Sequence, residues 1–282
     1  MTYRQALADG SALLEAGRIL FCDTPFLDAA VLLSFAAGIS REQLFARYPD
    51  QLPVDIERKY DGLIRQRLDG LPVSYIRNTK EFFGRDYYVD SRVLVPRPDT
   101  ETIIEKVLEI AGGFENPSIL DLCTGSGCIA ATLKLEIPNA VLTASDLSPE
   151  ALEVAEKNFR RLGAEVETVE SGLFDKIGGR FDIIATNPPY VRKEETRQMK
   201  ADGWPEPAMA LDGGGDGLDL IRRIITDSLD YLNRNSYLLI EAGPEQAETI
   251  RSLMVANGFT EVEITQDLAG RNRITSGRTS GT

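Results

Sequence analysis

Residues 118–130 read Ser-Ile-Leu-Asp-Leu-Cys-Thr-Gly-Ser-Gly-Cys-Ile-Ala, and this stretch decides the fold. An apolar, strand-like run (118–122) leads into a glycine-rich turn (123–127), and helical character begins near Cys128. A strand that ends in a glycine-rich turn and passes directly into a helix is typical of sheets whose parallel strands alternate with helices. The same alternation is therefore expected elsewhere in the chain.

From Thr100 onward, strand-like runs alternate with helical runs. The strand-like runs are 118–122, 140–145, 166–171, 181–186 and 237–241. One helix begins near Cys128, and another is delimited by Ser148, with Pro149 in its first position, and by Gly163 at its end. This alternation predicts a parallel, doubly wound α/β sheet.

The last part of the chain breaks the alternation. After a helix over 245–257, the strand-like runs 261–265 and 273–276 follow with no helix between them. Two strands joined without a crossover pair antiparallel, so these runs predict a hairpin that closes the edge of the sheet. The fold prediction is an α/β protein with a seven-stranded, Rossmann-like sheet, mostly parallel with an antiparallel C-terminal hairpin.

The region before residue 77 carries helical start and stop signals and no alternating strand pattern. One helix follows Thr24, with Pro25 at its first position, and stops at Gly38, while Ser40 begins a capping box for the next. A further helix over 54–68 places its apolar residues on one face. The prediction is a small helical bundle, which serves either as a packing domain or as a module that recognises a partner.

A β-hairpin is predicted between the bundle and the sheet. The aromatic runs 81–83 and 86–89 flank Gly84-Arg85, a two-residue turn led by glycine. This order is typical of a type II′ turn. The hairpin is expected to link the two larger parts.

Composition excludes several classes of function. The 282 residues correspond to about two domains. Thirty-one Lys and Arg against 44 Asp and Glu give a formal charge of −13, which opposes binding to phosphate backbones. The sequence has no histidine, so Ser-His-Asp hydrolysis, Cys-His proteolysis and His-ligated metal sites are excluded, and no metal is expected.

Cysteine use and hydropathy point to a cytoplasmic protein. The three cysteines form an odd count in a chain too large to need disulfides, which is typical of a reducing compartment. Asp9, Glu15 and Arg18 interrupt the first twenty residues, where a signal peptide has an unbroken apolar stretch. The longest uncharged apolar-rich run, 29–40, has 12 residues, fewer than the ~20 that span a bilayer. No membrane association is expected.

Three loops lie at predicted carboxyl ends of strands, where open α/β sheets bind ligands. The glycines of 123–127 allow a tight turn that brings backbone N–H groups near a ligand. Asp146 lies at the end of the second predicted strand, directly after the run 140–145, where its carboxylate can accept hydrogen bonds from both hydroxyls of a ribose. Residues 125–130 also match the nicotinamide dinucleotide pattern, and a glycine-rich turn can be purely structural. Asp121 suits the amino group of a methionine moiety and repels a pyrophosphate, which favours S-adenosylmethionine over NAD.

The third loop is Asn187-Pro188-Pro189-Tyr190. The prolines leave the Pro188 carbonyl as an acceptor with little freedom to move, and the Asn187 amide oxygen is a second acceptor. Together they can hold both hydrogens of a planar –NH2 group against the apolar face of Tyr190. Holding both hydrogens turns the lone pair of a weakly nucleophilic amide or amine toward a methyl donor. The alternative interpretation is a rigid turn after a strand.

These features resemble the class I S-adenosylmethionine-dependent methyltransferases with an Asn-Pro-Pro-Tyr motif, which act on amino groups of DNA adenine, DNA cytosine or glutamine. Further motifs are similar to those of the protein-glutamine methyltransferases of peptide chain release factors. They are Pro-Arg-Pro-Asp-Thr-Glu (96–101), Glu-Pro (206–207), Ala-Leu-Asp-Gly-Gly (210–214), Asp-Gly-Leu (216–218) and Asp-Leu-Ala-Gly-Arg-Asn-Arg (267–273). The resemblance covers residues 71–278.

The resemblance implies methylation of the side-chain amide nitrogen (N5) of the glutamine in the Gly-Gly-Gln motif of class I release factors. The methyl donor is then S-adenosyl-L-methionine and the product S-adenosyl-L-homocysteine. The cofactor-binding residues would be Asp121, Cys123, Thr124, Gly125, Ser126, Gly127, Asp146, Leu173 and Asn187. The substrate-binding residues would be Asn187, Pro188, Pro189 and Tyr190, with Asn187, Pro188 and Tyr190 catalytic.

One position departs from the family pattern. The family often has an acidic residue just before the position of Leu173, available to the adenine amino group, and this sequence has Gly172 there. Asp175 is near in sequence but out of register.

Two other functions remain open. An amino methyltransferase acting on nucleic acid (adenine N6) would need a basic channel. Arg192, Lys193, Arg197 and Lys200 could form a basic patch, although a solvated helix face explains them equally well. A non-catalytic cofactor-binding or assembly protein is the other alternative. The net charge favours a protein substrate.

The resulting expectation is a cytoplasmic enzyme with three parts. They are an N-terminal helical substrate-recognition domain over 1–76, a β-hairpin linker over 77–98 and an S-adenosylmethionine-dependent methyltransferase domain over 99–282. The expected partner is a class I release factor. We expect a monomer with no direct contact to nucleic acid or membrane.

Overall fold

The computed structural model describes residues 1–17 and 22–280, so Arg18 lies outside the described residues. The chain divides into two compact units. The first comprises residues 1–79 and 199–205, and the second residues 80–198 and 206–282. Within the described ranges, no helix is both long and apolar enough to cross a bilayer.

The first unit is helical, as predicted. Its helices are α1 (Tyr3–Ala16), α2 (Pro25–Ala37), α3 (Arg41–Ala46), α4 (Val54–Leu68) and α5 (Val73–Arg77). They enclose a core of aliphatic and aromatic side chains to which α1, α2 and α4 contribute most of the buried residues.

The helix boundaries follow the sequence signals closely. Gly38 ends α2 in the left-handed conformation, with φ of 65°. Ser40 and Gln43 form the predicted capping box at the start of α3, each accepting from the other's backbone N–H. Thr24 stands at the N-cap of α2 but makes no capping hydrogen bond with its side chain.

The hairpin forms one residue earlier than predicted. Strand β1 (Lys80–Phe82) pairs antiparallel with β2 (Arg85–Tyr87), and Phe82 faces Arg85 across the ladder. The turn is therefore Phe83-Gly84, and both residues have positive φ (48° and 71°), as in a type I′ turn. The prediction of a type II′ turn at Gly84-Arg85 was wrong because a tertiary contact overrides local preference: the Phe83 N–H donates to Glu101 at 2.9 Å.

The second unit contains the predicted seven-stranded sheet. Its strands are β3 (Ser118–Leu122), β4 (Val141–Asp146), β5 (Glu167–Glu170), β6 (Phe181–Thr186), β7 (Leu232–Glu241), β8 (Thr260–Gln266) and β9 (Asn272–Arg278). The strand order is β5-β4-β3-β6-β7-β9-β8. Strands β3 to β7 run parallel, whereas β9 pairs antiparallel with both β7 and β8. The predicted fold class is confirmed.

Helix α6 (Glu101–Ala111) precedes β3. The helices that follow strands of the sheet are α7 (Cys128–Glu136), α8 (Pro149–Leu162), α9 (Lys193–Ala201), α10 (Asp219–Asp227) and α11 (Ala247–Ala256). The signals around α8 are confirmed: the Ser148 side chain accepts from the Ala151 N–H, and Gly163 ends the helix with φ of 70°. Helices α6 and α10 lie in stretches for which the sequence analysis made no separate prediction, whereas α9 covers the stretch for which it named a solvated helix face as one explanation.

The sheet is covered on both faces. Neighbouring residues along a strand belong to different apolar clusters: Ile119 and Ile183 to one, Leu120 and Ile184 to the other. Helices α6, α7 and α8 pack in the first cluster, and α10 and α11 in the second. Because both faces are filled, ligands meet the sheet at its edge, where the carboxyl ends of the parallel strands converge.

Candidate active site

A cleft of about 430 Å³ lies at the carboxyl ends of β3, β4 and β6. Eight of the residues predicted from the sequence line it: Cys123, Thr124, Gly125, Ser126, Asp146, Leu173, Asn187 and Pro189. Asp121, Gly127, Pro188 and Tyr190 are not among the lining residues. The fold therefore brings the glycine-rich turn, the ribose carboxylate candidate and the Asn-Pro-Pro-Tyr loop to a single cavity.

The glycine-rich turn depends on left-handed backbone. Cys123, Gly125 and Gly127 have φ of 62°, 55° and 78°. A side chain at Gly127 would also meet the ring of Phe159 on α8, since a Cβ there would lie 2.7 Å from it. Glycine at 127 thus allows α7 to begin at Cys128 while packed closely on α8.

Asp146 is fixed at the cleft by backbone donors. Its Oδ2 accepts from the Gly125 N–H at 2.9 Å and its Oδ1 from the Ser148 N–H at 2.9 Å. Burial raises the pKa of Asp146, and these hydrogen bonds oppose the increase. Each oxygen keeps a lone pair that can accept a hydrogen bond from a ligand hydroxyl.

Asp121 lies beneath the glycine-rich turn and has no exposed surface. Its Oδ2 accepts from the Thr124 hydroxyl at 2.6 Å and from the Ala130 N–H at 3.0 Å, so it ties the turn to the start of α7. Burial raises the pKa of Asp121 to about 7. Its Oδ1 has no hydrogen-bond partner in the described part of the chain. Its predicted contact with a cofactor stays a prediction.

The Asn-Pro-Pro-Tyr loop is held from behind by the segment 211–217. The Val191 N–H donates to the Leu211 carbonyl and the Gly213 N–H to the Val191 carbonyl, each at 2.8 Å. A Cβ at Gly213 would lie 2.7 Å from the Pro189 carbonyl oxygen. This close approach gives the Ala-Leu-Asp-Gly-Gly motif a physical role that the sequence analysis did not identify.

Tyr190 is half-buried at the end of this loop. Its backbone carbonyl accepts from Gln246 Nε2 at 3.0 Å. Burial raises the pKa of Tyr190 to about 12, so its ring stays neutral at physiological pH. Sequence reasoning missed this support of the loop by Gln246, because the two residues are 56 positions apart along the chain.

Two further buried side chains approach Asn187. Asn187 Nδ2 lies 3.3 Å from Thr100 Oγ1, and the Thr100 hydroxyl donates to Glu241 Oε1 at 3.1 Å. Thr100 is 3% exposed and Glu241 is 1% exposed. Sequence reasoning placed Thr100 in a family motif and Glu241 at the end of a strand, without a role for either side chain.

The remaining motifs form a charged network. Asp99 pairs with Arg273 at 2.7 Å and with Arg271 at 3.2 Å, and Asp267 accepts from both arginines. The network therefore ties residues 96–101 to the C-terminal motif 267–273. In the same unit, Glu206 pairs with Arg97 at 2.6 Å and accepts from the Val95 N–H.

The space beside Gly172, where the sequence departs from the family pattern, is filled by the side chain of Asp175. A Cβ built at Gly172 would lie 2.9 Å from Asp175 Oδ2, so the Asp175 carboxylate occupies the space beside it. Gly172, Leu173 and Asp175 all line the cleft. Leu173 has a left-handed backbone with φ of 56°, a strained conformation that is concentrated at functional sites.

The chain is similar to known proteins over nearly its whole length. The family model of the methyltransferase small domain matches residues 100–216, and that of the PrmC N-terminal domain matches residues 5–77. The chain is 40% identical to the release factor glutamine methyltransferase of Neisseria gonorrhoeae over 257 residues, 90% of this chain and 93% of the relative. It is also 40% identical to that of Koribacter versatilis over 287 residues, 99% of each chain.

A solved methyltransferase structure from Pyrococcus furiosus has a TM-score of 0.51 to this chain at 19% identity. It covers 70% of this chain and 90% of the other. That likeness concerns the fold.

Proposed function

The chain belongs to the family of release factor glutamine methyltransferases, and we propose that it methylates the side-chain amide nitrogen (N5) of the glutamine in the Gly-Gly-Gln motif of class I peptide chain release factors. One observation carries the proposal. Asn187 lines the same cleft as the glycine-rich turn and Asp146, so an amide-binding acceptor lies beside the place suited to a nucleoside. The enzyme uses S-adenosylmethionine, whose sulfonium supplies the methyl group.

The residues of the cleft fit this cofactor. A volume of about 430 Å³ lies within the range of ~300–1,000 Å³ usual for small-molecule sites. We assign Asp146 to the ribose hydroxyls, and the turn 123–127 and Leu173 to the rest of the cofactor. Asp121 supports the turn from below and lies outside the lining of the cleft. Its Oδ1, which has no hydrogen-bond partner among the described residues, keeps it a candidate for the cofactor's amino group.

The proposed chemistry relies on positioning. Asn187 Oδ1 and the Pro188 carbonyl accept the two hydrogens of the substrate amide, and Tyr190 packs against its plane. These acceptors turn the nitrogen lone pair toward the methyl donor and stabilise the positive charge that develops on nitrogen. Neither acceptor is a strong base, so the amide keeps its protons until the methyl group is attached and one proton then passes to water.

We assign substrate recognition to residues 1–76, a linking role to 77–98 and catalysis to 99–282. The first unit has its own apolar core and exposes Phe26, Phe35 and Phe45, which supports a protein-binding role. The charge of −13 supports a protein substrate over nucleic acid. The proposal includes a cytoplasmic monomer that contacts no membrane.

A labelling experiment tests this function. The purified protein is incubated with methyl-labelled S-adenosylmethionine and either an intact class I release factor, the same factor with the Gly-Gly-Gln glutamine replaced by alanine, or duplex DNA. We expect label only on the unaltered release factor, located on that glutamine by mass spectrometry. Label on DNA alone would refute the protein-glutamine function and favour adenine N6 methylation.

A further inference from the structure

The amide of Asn187 has two chemically different ends. Its oxygen accepts hydrogen bonds, whereas its nitrogen only donates. Only the oxygen can hold an N–H of the substrate glutamine. Rotation about the last side-chain bond would exchange the two ends. The –NH2 group of Asn187 would then face the –NH2 group of the substrate glutamine, and both groups only donate. The orientation of this amide therefore decides whether the loop can bind its substrate.

Thr100 contacts the nitrogen end of this amide. Asn187 Nδ2 lies 3.3 Å from Thr100 Oγ1. Thr100 belongs to the short helical turn 98–100 that precedes α6, and it is almost completely buried. Water therefore does not compete for this hydroxyl. The neighbour to which the hydroxyl donates its proton determines on which side its lone pairs remain free to accept.

Glu241 determines the direction of that hydroxyl. Thr100 Oγ1 lies 3.1 Å from Glu241 Oε1, at the carboxyl end of β7. An ionised carboxylate only accepts hydrogen bonds, so the Thr100 proton points toward Glu241. The lone pairs of Oγ1 then remain for Asn187 Nδ2. A single negative charge thus gives the series Asn187, Thr100 and Glu241 one direction.

We propose that Thr100 and Glu241 are positioning residues that hold the Asn187 amide with its oxygen toward the substrate glutamine. The inference rests on the proposed function, which makes Asn187 the acceptor for that glutamine. It adds two side chains that act through Asn187 and that come from distant parts of the sequence, one before β3 and one at the end of β7.

The energetic cost of Glu241 supports a functional role. The carboxyl group is 1% exposed, and its Oε2 makes no hydrogen bond of normal length among the described residues. Burying an incompletely paired carboxylate is unfavourable. A neutral partner would satisfy the hydrogen bonding of the Thr100 hydroxyl. An ionised carboxylate, which can only accept, also fixes the direction in which the hydroxyl donates.

Glu241 can also lose its charge near neutral pH. Burial raises its pKa to about 7, while the Thr100 hydrogen bond, the charge of Arg273 and the Asn187 amide act in the opposite direction. The titratable and charged groups coupled to it are Asp99, Cys128, Tyr190 and Arg273. A protonated Glu241 can donate a hydrogen bond to the Thr100 hydroxyl. The Thr100 proton is then no longer required to point toward Glu241.

The first test compares three threonine variants. Thr100→Val keeps the shape of the side chain and removes the hydroxyl, whereas Thr100→Ser keeps the hydroxyl. Thr102→Val is the matched control, because Thr102 is also buried, lies on α6 and makes no hydrogen bond with Asn187 or Glu241 in the described structure. The measurements are kcat and KM with an intact class I release factor, and the Kd of S-adenosylmethionine by calorimetry.

We expect Thr100→Val to lower kcat at least tenfold with the Kd of S-adenosylmethionine within twofold of wild type. Thr100→Ser should recover kcat to within threefold of wild type, and Thr102→Val should stay within twofold. Wild-type kcat in Thr100→Val, or an equal loss in Thr102→Val, would overturn the proposal. Absence of release factor methylation by the wild-type enzyme would instead refute the proposed function.

The second test observes Asn187 directly and needs no turnover. The side-chain amide resonance of Asn187 in a ¹⁵N-labelled sample is assigned by its loss in Asn187→Ala. We expect it to shift with pH with a midpoint near 7 in the wild type, to lose this titration in Glu241→Gln, and to exchange faster with water in Thr100→Val. An unaltered resonance in both variants would overturn the proposal whatever the outcome of the activity assays.

Discussion

Single side chains in this enzyme carry functions that their residue types alone do not reveal. In the proposed function Asn187 binds the substrate amide through its oxygen, and we infer that the buried Thr100 and Glu241 set the orientation of that oxygen. Asp146 is held in place by two backbone N–H groups, one of them from the glycine-rich turn. The active site therefore depends on hydrogen-bond direction as much as on the residues that would touch the ligands.

The role of Asn187 predicts a selective loss of catalysis. Asn187→Ala should reduce kcat roughly a hundredfold, in line with the removal of one positioned hydrogen-bonding group from an active site. The Kd of S-adenosylmethionine should change by no more than about threefold, since Asp146 and the turn 123–127 are untouched. Steady-state kinetics and calorimetry measure both quantities. Asn139→Ala, at an exposed position outside the cleft, is the control; unchanged turnover in Asn187→Ala would mean that the loop is only a turn.

The secondary-structure elements position the site through close backbone contacts. Helix α7 begins at Cys128 because Gly127 adopts a left-handed conformation directly against Phe159 of α8. The Asn-Pro-Pro-Tyr loop is supported in the same way by the segment 211–217, whose Gly213 leaves no room for a side chain. Both contacts join segments that are distant in sequence, so the spacing of strands and helices alone does not predict them.

The contact at Gly127 predicts a large loss of stability for a small substitution. Gly127→Ala should lower the free energy of unfolding by about 2–5 kcal/mol, because a left-handed alanine costs ~1–2 kcal/mol and overpacking against Phe159 adds ~1–3 kcal/mol. Denaturant unfolding of the ligand-free protein measures this change. Gly163→Ala is the matched control, since Gly163 is also left-handed with φ of 70° but has nothing within 4 Å of an added Cβ. A loss at Gly127 no greater than that at Gly163 would contradict the packing argument.

The molecule as a whole concentrates buried negative charge beneath one edge of its sheet. Asp121 is the last residue but one of β3, and Glu241 is the last residue of β7. Burial raises the pKa of each carboxyl group to about 7. A carboxyl group with a raised pKa in the folded state binds more protons when folded than when unfolded. Its contribution to stability is therefore greatest at low pH and is lost as the pH rises from its ordinary pKa toward 7.

The raised pKa of Asp121 predicts that replacing its carboxyl group by an amide stabilises the protein more at high pH than at low pH. The free energy of unfolding of Asp121→Asn, measured relative to that of wild type, should increase by up to about 3 kcal/mol between pH 5 and pH 8. Chemical denaturation of the ligand-free proteins at both pH values gives this difference. The same change at the exposed Asp86 is the control for loss of one carboxylate. A difference that is constant with pH would show that Asp121 does not titrate in this range.

The sequence by itself determined the fold class and eight of the residues that line the cleft. Strand and helix signals are local, so β3 and β6 were predicted with their exact limits, and the strand order of a doubly wound sheet then places residues 123–127, Asp146 and Asn187 at one edge. The Asn-Pro-Pro-Tyr loop was recognisable because its chemistry is contained in four consecutive residues.

Only the tertiary structure decided which atoms face one another. It moved the hairpin turn to Phe83-Gly84 through a hydrogen bond to Glu101, and it placed Asp121 below the turn instead of in the lining of the cleft. It also joined Thr100 and Glu241 to Asn187, although the three residues lie far apart along the chain. Hydrogen bonds between distant segments leave no periodic trace in a sequence, because their partners are set by how the layers pack.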